Sequence, residues 1–340
     1  MMKRARTAAS PVSTIYTAFS LPSPLPSLRH SESPFRSLDN RTRCTLSASS
    51  YPSQSSPRSI HPKKSLSQNF LRDKNFVNRI VSAFRESTDN VEPVPTVVEV
   101  GPGLGALTDN LLQQYPRMHA IEIDQRAVQH LQVRHPHLNL HHADVLQTDW
   151  SHFSKQLNAP LAIIGNLPYN IVSQILFSLL EAPDKSVTTA LVMMQKEVAQ
   201  RVIAKPHSKS YGILSVVSQL YAKPKLLFSV PNTAFFPVPQ VTSAMVRLDM
   251  EPHPNFDKSD LSTNRALRTV VRTAFNQRRK RLRNALKTIS QGKQLPNGWD
   301  LKRAEELEPV EFLELTRFLF PDGMQESRDR EGKALYSVWR

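Results

Sequence analysis

The stretch "PTVVEVGPGLGALTDNLLQQY", residues 95–115, joins an apolar run, three closely spaced glycines and an amphipathic segment. A short run rich in valine is typical of a buried strand. The leucines after the glycines recur at helical spacing, which indicates a helix with one apolar face. The stretch therefore predicts a strand, a glycine turn and a helix in succession.

Four more apolar segments follow, separated by stretches with helical periodicity; they are residues 117–124, 138–146, 159–169 and 187–195. Strands that alternate with helices predict an α/β fold, here a doubly wound, Rossmann-like parallel sheet. Ligands of such sheets bind beyond the carboxyl ends of the strands. A β-rich piece spans residues 223–250, and the periodicity from about residue 260 to residue 320 is helical only. We therefore expect a sheet domain over residues 62–255 and a small all-helical domain over residues 256–320.

The net charge of +15 is concentrated in two segments of the 340-residue chain. Residues 1–64 carry ten Lys or Arg against two acids, and residues 265–283 carry eight Lys or Arg and no acid. The rest of the chain is close to neutral, so each basic segment needs its own explanation. Cys44 is the single cysteine, which excludes an intramolecular disulfide. No apolar run approaches the roughly 18–20 residues that span a bilayer, so we expect no membrane association.

Residues 1–61 are rich in Ser, Pro and Arg, poor in acids and without apolar periodicity. This composition is typical of an organelle transit peptide, with an ordinary disordered tail as the alternative. The early arginines favour a mitochondrial destination, whereas the many serines and prolines would also suit a plastid. Residues 321–340 resemble an unpacked, flexible tail.

Candidate cofactor residues follow three of the predicted strands. Gly101 and Gly103 lie in a turn where the backbone can approach a ligand, although the same glycines satisfy a dinucleotide-binding pattern or a turn without a ligand. Glu122 ends the second strand about twenty residues later, where a carboxylate can accept hydrogen bonds from ribose hydroxyls. Asp144 ends the third strand and can accept from an adenine amino group or cap the next turn. These residues are compatible with NAD and with S-adenosylmethionine.

The fourth strand ends in "GNLPY", residues 165–169, which suits a flipped-out base that carries an amino group. The Asn166 side-chain carbonyl and the rigid backbone beside Pro168 can accept from one NH₂ group, and Tyr169 can stack on the ring. Acceptors on both hydrogens of adenine N6 favour a more tetrahedral nitrogen, whose lone pair can then attack a methyl sulfonium. A strand-ending turn with a packed tyrosine is the alternative, but NAD chemistry has no use for this motif. Methyl transfer is therefore the favoured reaction.

Nine segments, in this order and spacing, resemble the ribosomal small-subunit RNA adenine dimethyltransferases, the KsgA family. They are "KKSLSQNFLRD", "VEVGPGLGALT", "AIEID", "HADVL", "GNLPYNI", "MMQKEVAQRV", "YGILSV", "FFPVPQVTSAMVRL" and "FNQRRKRLRNAL". The resemblance covers about residues 62–320 and implies a Rossmann-like methyltransferase fold. It implies N6,N6-dimethylation of two adjacent adenines in the last hairpin of small-subunit rRNA.

The resemblance also implies site residues. The cofactor would be S-adenosylmethionine, with no metal ion, and its contacts would be Asn69, Leu71, Gly101, Gly103, Glu122, Asp144 and Asn166. Asn166, Leu167 and Tyr169 would handle the target base, and Phe235 would close its other face in an aromatic sandwich. Ser67 stands where the family commonly has glycine, which would add modest strain if that residue has positive φ.

The basic segment at residues 265–287 has apolar residues at helical spacing, so we interpret it as one helix with an inward stripe. The stripe consists of Leu267, Val270, Val271, Ala274 and Phe275. The cations of the segment, from Arg268 onward, would face outward. Eight cations without an acid would repel each other on a purely structural helix. We therefore expect docking on the phosphates of small-subunit rRNA, in a precursor of the ribosomal subunit, through Arg278, Arg279, Lys280 and Arg281. A solvated basic helix is the alternative. We expect the protein to act as a monomer.

Two related functions share much of the pattern. The large-subunit rRNA methyltransferases that confer macrolide resistance resemble it, but the leader and the "QKEVAQRV" and "FFPVPQVTSA" segments favour the small-subunit branch. Mitochondrial transcription factor B is a DNA-bound initiation factor of the same descent. The intact cofactor and base residues favour methylation over that role.

Overall fold

The computed structural model describes residues 62–325, apart from positions 64, 65, 67, 90, 184 and 297. The predicted transit peptide, Ser67 and most of the predicted tail lie outside the described residues. The leader and the effect of Ser67 therefore stay predictions.

A seven-stranded sheet forms the centre of the fold, in the order β4-β3-β2-β5-β6-β9-β7. Its strands are β2 (Thr96–Val100), β3 (His119–Glu122), β4 (Asn139–His142), β5 (Leu161–Asn166), β6 (Val187–Gln195), β7 (Lys223–Val230) and β9 (Ser243–Asp249). A separate pair joins β1 (Phe70–Leu71) to β8 (Phe235–Phe236).

The parallel sheet that the sequence predicts is confirmed for β2 to β6, which run parallel to one another. The β-rich piece at residues 223–250 adds β7 and β9 to this sheet, and β9 is antiparallel to both β6 and β7. Residues 231–242 connect β7 to β9 without a crossover helix, and a connection of that kind joins antiparallel neighbours. The sheet is therefore mixed.

Helices cover both faces of the sheet. Along β5, Ile163 and Ile164 belong to two different buried clusters, because successive side chains of a strand point to opposite faces. The helices that pack on these faces and at the end of the chain are α1 (Lys74–Thr88), α2 (Thr108–Gln114), α3 (Gln125–Arg134), α4 (Trp150–Leu157), α5 (Val172–Leu180), α6 (Lys196–Val202), α7 (Ile213–Tyr221), α8 (Leu261–Asn276), α9 (Leu282–Ala285), α10 (Lys287–Ser290) and α11 (Pro309–Leu319). None of the helices within the described ranges is long and apolar enough to cross a lipid bilayer.

The helical end of the chain begins as predicted, but residues 265–287 are not one helix. α8 buries four residues of the predicted stripe, Leu267, Val270, Val271 and Ala274, against the same cluster that includes residues of α5 and α7. The fifth, Phe275, is partly buried and packs against this cluster. α8 ends at Asn276, and the chain turns before α9 begins. A continuous helix would have placed Arg278 on the buried stripe four residues after Ala274. The turn brings Leu282 to the buried side instead.

Candidate active site

A cavity of about 290 Å³ opens at the carboxyl ends of β2, β3 and β5. Its walls are the glycine turn after β2, the ends of β3 and β4, the Asn166–Ile171 segment after β5, and residues of the N-terminal segment 66–71. The carboxyl edge of a parallel sheet is where α/β folds bind ligands, as the sequence predicts. The predicted cofactor residues Asn69, Leu71, Gly101, Gly103, Glu122, Asp144 and Asn166 all line this cavity.

The glycine turn needs glycine at Gly103 for two reasons. Its φ is +55°, in the left-handed region that other residues rarely adopt. A Cβ at this position would also lie 3.0 Å from the ring of Phe70, which folds over the turn from the N-terminal segment. Gly101 has a φ of +68° in the same turn. Both glycines line the cavity, so a ligand there would meet backbone atoms at these two positions.

Glu122 shapes the cavity as well as lining it. One carboxylate oxygen accepts from the Gly103 N–H at 3.0 Å, and the other accepts from the Ile123 and Asp124 N–H groups at 2.9 and 2.8 Å. The residue is buried, and burial raises its pKa against the opposing effect of these three donors. The side chain that the sequence suggests as a ribose acceptor therefore also holds the glycine turn in place.

Glu99 is a buried acid in the cavity wall that sequence reasoning missed. It lies in β2 between two buried valines, and the Thr108 hydroxyl donates to it at 2.7 Å. Burial raises the pKa of Glu99 to about 8, so its carboxyl is mostly protonated at neutral pH. A carboxylic acid inside an otherwise apolar strand, two residues before Gly101, was the signal that could have identified it.

Asp144 caps the next turn, which is one of the two interpretations that the sequence left open. One of its oxygens accepts from the Leu146 N–H at 2.9 Å and caps the 3₁₀ turn Val145–Gln147. The residue also lines the cavity. A cap occupies one carboxylate oxygen, which leaves the second oxygen to accept from an amino group.

The Asn166 amide is oriented by the N-terminal segment. Its Nδ2 donates to the Asn69 carbonyl at 2.9 Å, so Oδ1 is the atom left to accept from a ligand. The Pro168 carbonyl accepts from the Ile171 N–H at 3.2 Å. Among the described residues, the carbonyl of Leu167 is therefore the backbone acceptor that remains beside the proline. Two acceptors at one strand end are the arrangement that an amino group requires.

Tyr169 lines the same cavity and is held at its hydroxyl end. Its Oη lies 2.6 Å from the Ser243 Oγ at the start of β9, and burial raises its pKa. A ring fixed by its hydroxyl presents its face in a defined position, which favours stacking on a base. Ser243 was not identified from the sequence.

Phe235 is the one predicted base residue that the structure does not bring to the cavity. Its ring is 3% exposed and packs with Ala234 and Met245 in the cluster beneath the sheet. It is absent from the residues that line the cavity in the described part of the chain. The neighbouring Phe236 is 44% exposed, because adjacent residues of a strand point to opposite sides.

Asp124 anchors the N-terminal segment beside the cavity. Gln68 donates to it from Nε2 at 2.9 Å, and the Arg126 guanidinium donates to it at 2.6 Å. The Arg126 hydrogen bonds hold the pKa of Asp124 well below its usual range. The segment that carries Asn69 is thus fixed at one end by a carboxylate that stays charged.

The predicted RNA-binding cations divide into two kinds. Arg279, Lys280 and Arg281 are exposed in the turn between α8 and α9. Arg278 does not face outward as predicted, because its Nε donates to Glu305 at 2.6 Å and its Nη2 donates to the Ser208 carbonyl at 3.1 Å. Arg268, which was also expected outside, forms an ion pair with Glu181 at 2.6 Å. Two acids that are distant in sequence, Glu305 and Glu181, therefore compensate part of the positive charge of the basic segment.

Sequence comparisons place the chain beside a well-defined group of proteins. A model of the family described as ribosomal RNA adenine dimethylase matches residues 60–317. The ribosomal RNA small subunit methyltransferase A of Salinibacter ruber is 44% identical over 287 residues, which cover 83% of this chain and 94% of that protein. That of Syntrophotalea carbinolica is 40% identical over 269 residues, which cover 76% and 97%.

Two solved structures have a similar fold. A dimethyladenosine transferase from Plasmodium falciparum matches with a TM-score of 0.58 at 22% identity, over 74% of this chain and 98% of its own. The 23S rRNA methyltransferase ErmE matches with a TM-score of 0.55 at 26% identity, over 74% and 99%. These matches confirm the Rossmann-like sheet with a helical C-terminal part.

Proposed function

Because this chain belongs to the ribosomal RNA adenine dimethylase family, we propose that it dimethylates N6 of two adjacent adenines in the last hairpin of small-subunit rRNA. The observation that carries the proposal is the pair of acceptors at the end of β5, Asn166 Oδ1 and the Leu167 carbonyl, beside the fixed ring of Tyr169. These two acceptors can bind both hydrogens of one adenine amino group, whose lone pair is otherwise delocalised into the ring.

The cofactor is S-adenosylmethionine, which supplies a methyl group bonded to a sulfonium sulfur. The cavity fits it, since Gly101 and Gly103, which have no Cβ atoms, lie at the end of β2, and carboxylates lie at or just after the ends of the next two strands of the sheet, β3 and β4. Glu122 would hold the ribose hydroxyls, and Asp144 the adenine amino group. The remaining predicted contacts, Asn69, Leu71, Gly101, Gly103 and Asn166, complete the lining.

The residues after β5 act on the target adenine. Asn166 Oδ1 and the Leu167 carbonyl accept the two N6 hydrogens, which concentrates the nitrogen lone pair on the side facing the cavity. Tyr169 stacks on the ring and keeps the amino group in that position. N6 becomes acidic once it is alkylated and loses its proton to water, so no strong general base is required.

The exposed cations Arg279, Lys280 and Arg281 support docking of the helical part, residues 256–320, on rRNA phosphates. Contacts to phosphates position a protein without reading sequence. The site after β5 would then select the target base.

We further propose that the protein works as a monomer in an organelle, with the mitochondrion favoured over the plastid. The arginine-rich, acid-poor composition of residues 1–61 supports import. Import of the full chain into isolated mitochondria and into isolated chloroplasts distinguishes the destinations, and import by neither refutes this proposal. Light scattering of the purified chain tests the monomer.

Methylation of purified ribosomal subunits that lack the modification tests the activity. We expect dimethyladenosine in small subunits, none in large subunits, and no product from Asn166→Ala with either. Product in large subunits alone would assign the ErmE-like activity instead. Promoter melting without methylation would assign the transcription-factor function.

A further inference from the structure

The strand pair β1–β8, whose residues Phe70 and Leu71 line the cavity, carries an exposed aromatic ring that no part of the proposed mechanism uses. Phe236 is 44% exposed, and the Arg72 guanidinium lies 3.9 Å from the centre of its ring. Such a cation–π contact holds a ring and a positive charge together at the surface.

The position of this pair follows from the strands around it. Phe236 in β8 pairs with Phe70 in β1, and the Phe70 side chain lines the cavity. The loop after Phe236 ends at Ser243, whose hydroxyl holds Tyr169. The loop therefore runs along the rim from the N-terminal segment to the proposed base site.

The loop after Phe236 is apolar and carries no acid. Val238 is 58% exposed and Val241 is 37% exposed on the same loop. The chain has no Asp or Glu between Glu197 and Asp249. Within the described residues, Arg72 forms no ion pair with an acid. A surface that offers a flat ring, apolar side chains and an uncompensated guanidinium suits an unpaired nucleotide, whose base stacks while its phosphate meets the cation.

We propose that Phe236 and Arg72 form a second nucleotide subsite, which holds the base next to the adenine in the cavity. This inference rests on the proposed function, because it requires an RNA substrate. In the subsite, the neighbouring base stacks on the ring of Phe236, and Arg72 contacts the phosphate between the two nucleotides. The target base and its neighbour are thus separated onto two rings, Tyr169 and Phe236.

Binding of a synthetic 3′-terminal hairpin RNA, measured by fluorescence anisotropy, tests the subsite. One RNA carries both adenines and a second has an abasic nucleotide beside the target. Stacking of one base corresponds to a loss of about 5- to 150-fold in affinity. We expect a loss of this size for wild type with the abasic RNA, and for Phe236→Ala with the natural RNA. The two losses should not add, because both remove the same stacking interaction.

Three controls separate this effect from damage to the fold. Phe236→Trp should bind like wild type, since it keeps a stacking ring. Phe318→Ala, which removes another exposed ring from α11, should also bind like wild type. Phe236→Ala should retain its affinity for S-adenosylmethionine in calorimetry.

Additive losses, equal wild-type affinity for the two RNAs, or no wild-type binding would overturn the subsite. Normal methylation of small subunits by Phe236→Ala would do the same and leave the proposed function standing. If wild type itself fails to methylate small subunits, the proposed function fails. Loss of binding to a protein of the ribosomal subunit, with hairpin affinity intact, would reassign the rim to a protein partner.

Discussion

Replacing Glu122 by glutamine should weaken the cofactor site and the glycine turn together. The carboxylate accepts three backbone N–H groups, and Gln has one oxygen where Glu has two. The amide oxygen can keep the Ile123 and Asp124 N–H groups, but the amide nitrogen then faces the Gly103 N–H as a second donor. The variant therefore loses one buried hydrogen bond to a charged group.

A hydrogen bond to a charged group contributes about 1.5–3 kcal/mol, so the free energy of unfolding of the apoprotein should fall by that amount. The ribose hydroxyls lose a charged acceptor of the same kind. We therefore expect the affinity for S-adenosylmethionine to fall by about 10- to 150-fold. Glu122→Ala should destabilise the apoprotein further, since it leaves three backbone donors without their acceptor.

Urea unfolding of the apoprotein and isothermal titration with the cofactor measure the two effects separately. Glu86→Gln, an exposed change of the same chemistry on α1, serves as the matched control and should alter neither quantity. Full apoprotein stability in Glu122→Gln would refute the structural role of the Gly103 bond. Unchanged cofactor affinity would refute the ribose contact.

Three other outcomes follow from the site and the basic turn. Glu99 has a pKa of about 8 in the folded protein, above that of an unfolded glutamate, so wild type should lose stability as pH rises from about 5 to 8. Glu99→Gln should lose less stability over this range, by a difference on the order of a few kcal/mol in urea unfolding. Parallel pH profiles of stability for the two proteins would contradict this. Tyr169→Ala should lower the rate of methylation of small subunits by about 5- to 150-fold and retain the affinity for the cofactor. Tyr169→Phe keeps the stacking ring, so its methylation rate should stay close to that of wild type. A normal rate for Tyr169→Ala would exclude base stacking. Neutral replacement of the exposed cations should lower the log–log salt dependence of subunit binding by roughly 0.7–0.9 for each rRNA phosphate that the protein no longer neutralises. The exposed cations replaced in this variant are Arg279, Lys280 and Arg281. Arg278→Ala should instead lower the stability of the protein and leave the salt dependence unchanged, because Arg278 is paired with Glu305. An equal change of the salt dependence in the two variants would contradict the distinction between Arg278 and the exposed cations.

The parts of this protein that the sequence determined by itself are those set by neighbouring residues. The runs of apolar residues at strand or helix spacing predict β2 to β6 and α8 because burial on one or two faces imposes that spacing. The cofactor residues could be identified for a similar reason. Strands that run parallel bring their carboxyl ends to one edge, so Gly101, Glu122 and Asp144 lie together once the strands are recognised.

Only the tertiary structure decided the contacts between residues far apart in the chain. The Asn166 amide is oriented by Asn69, 97 residues earlier, and Tyr169 is held by Ser243, 74 residues later. Arg278 has the same local sequence context as the exposed cations beside it, but Glu305 lies 27 residues away and removes it from the surface charge. Local patterns specify which residues are buried, whereas the partner of a polar side chain depends on which distant segments the fold brings within hydrogen-bonding distance.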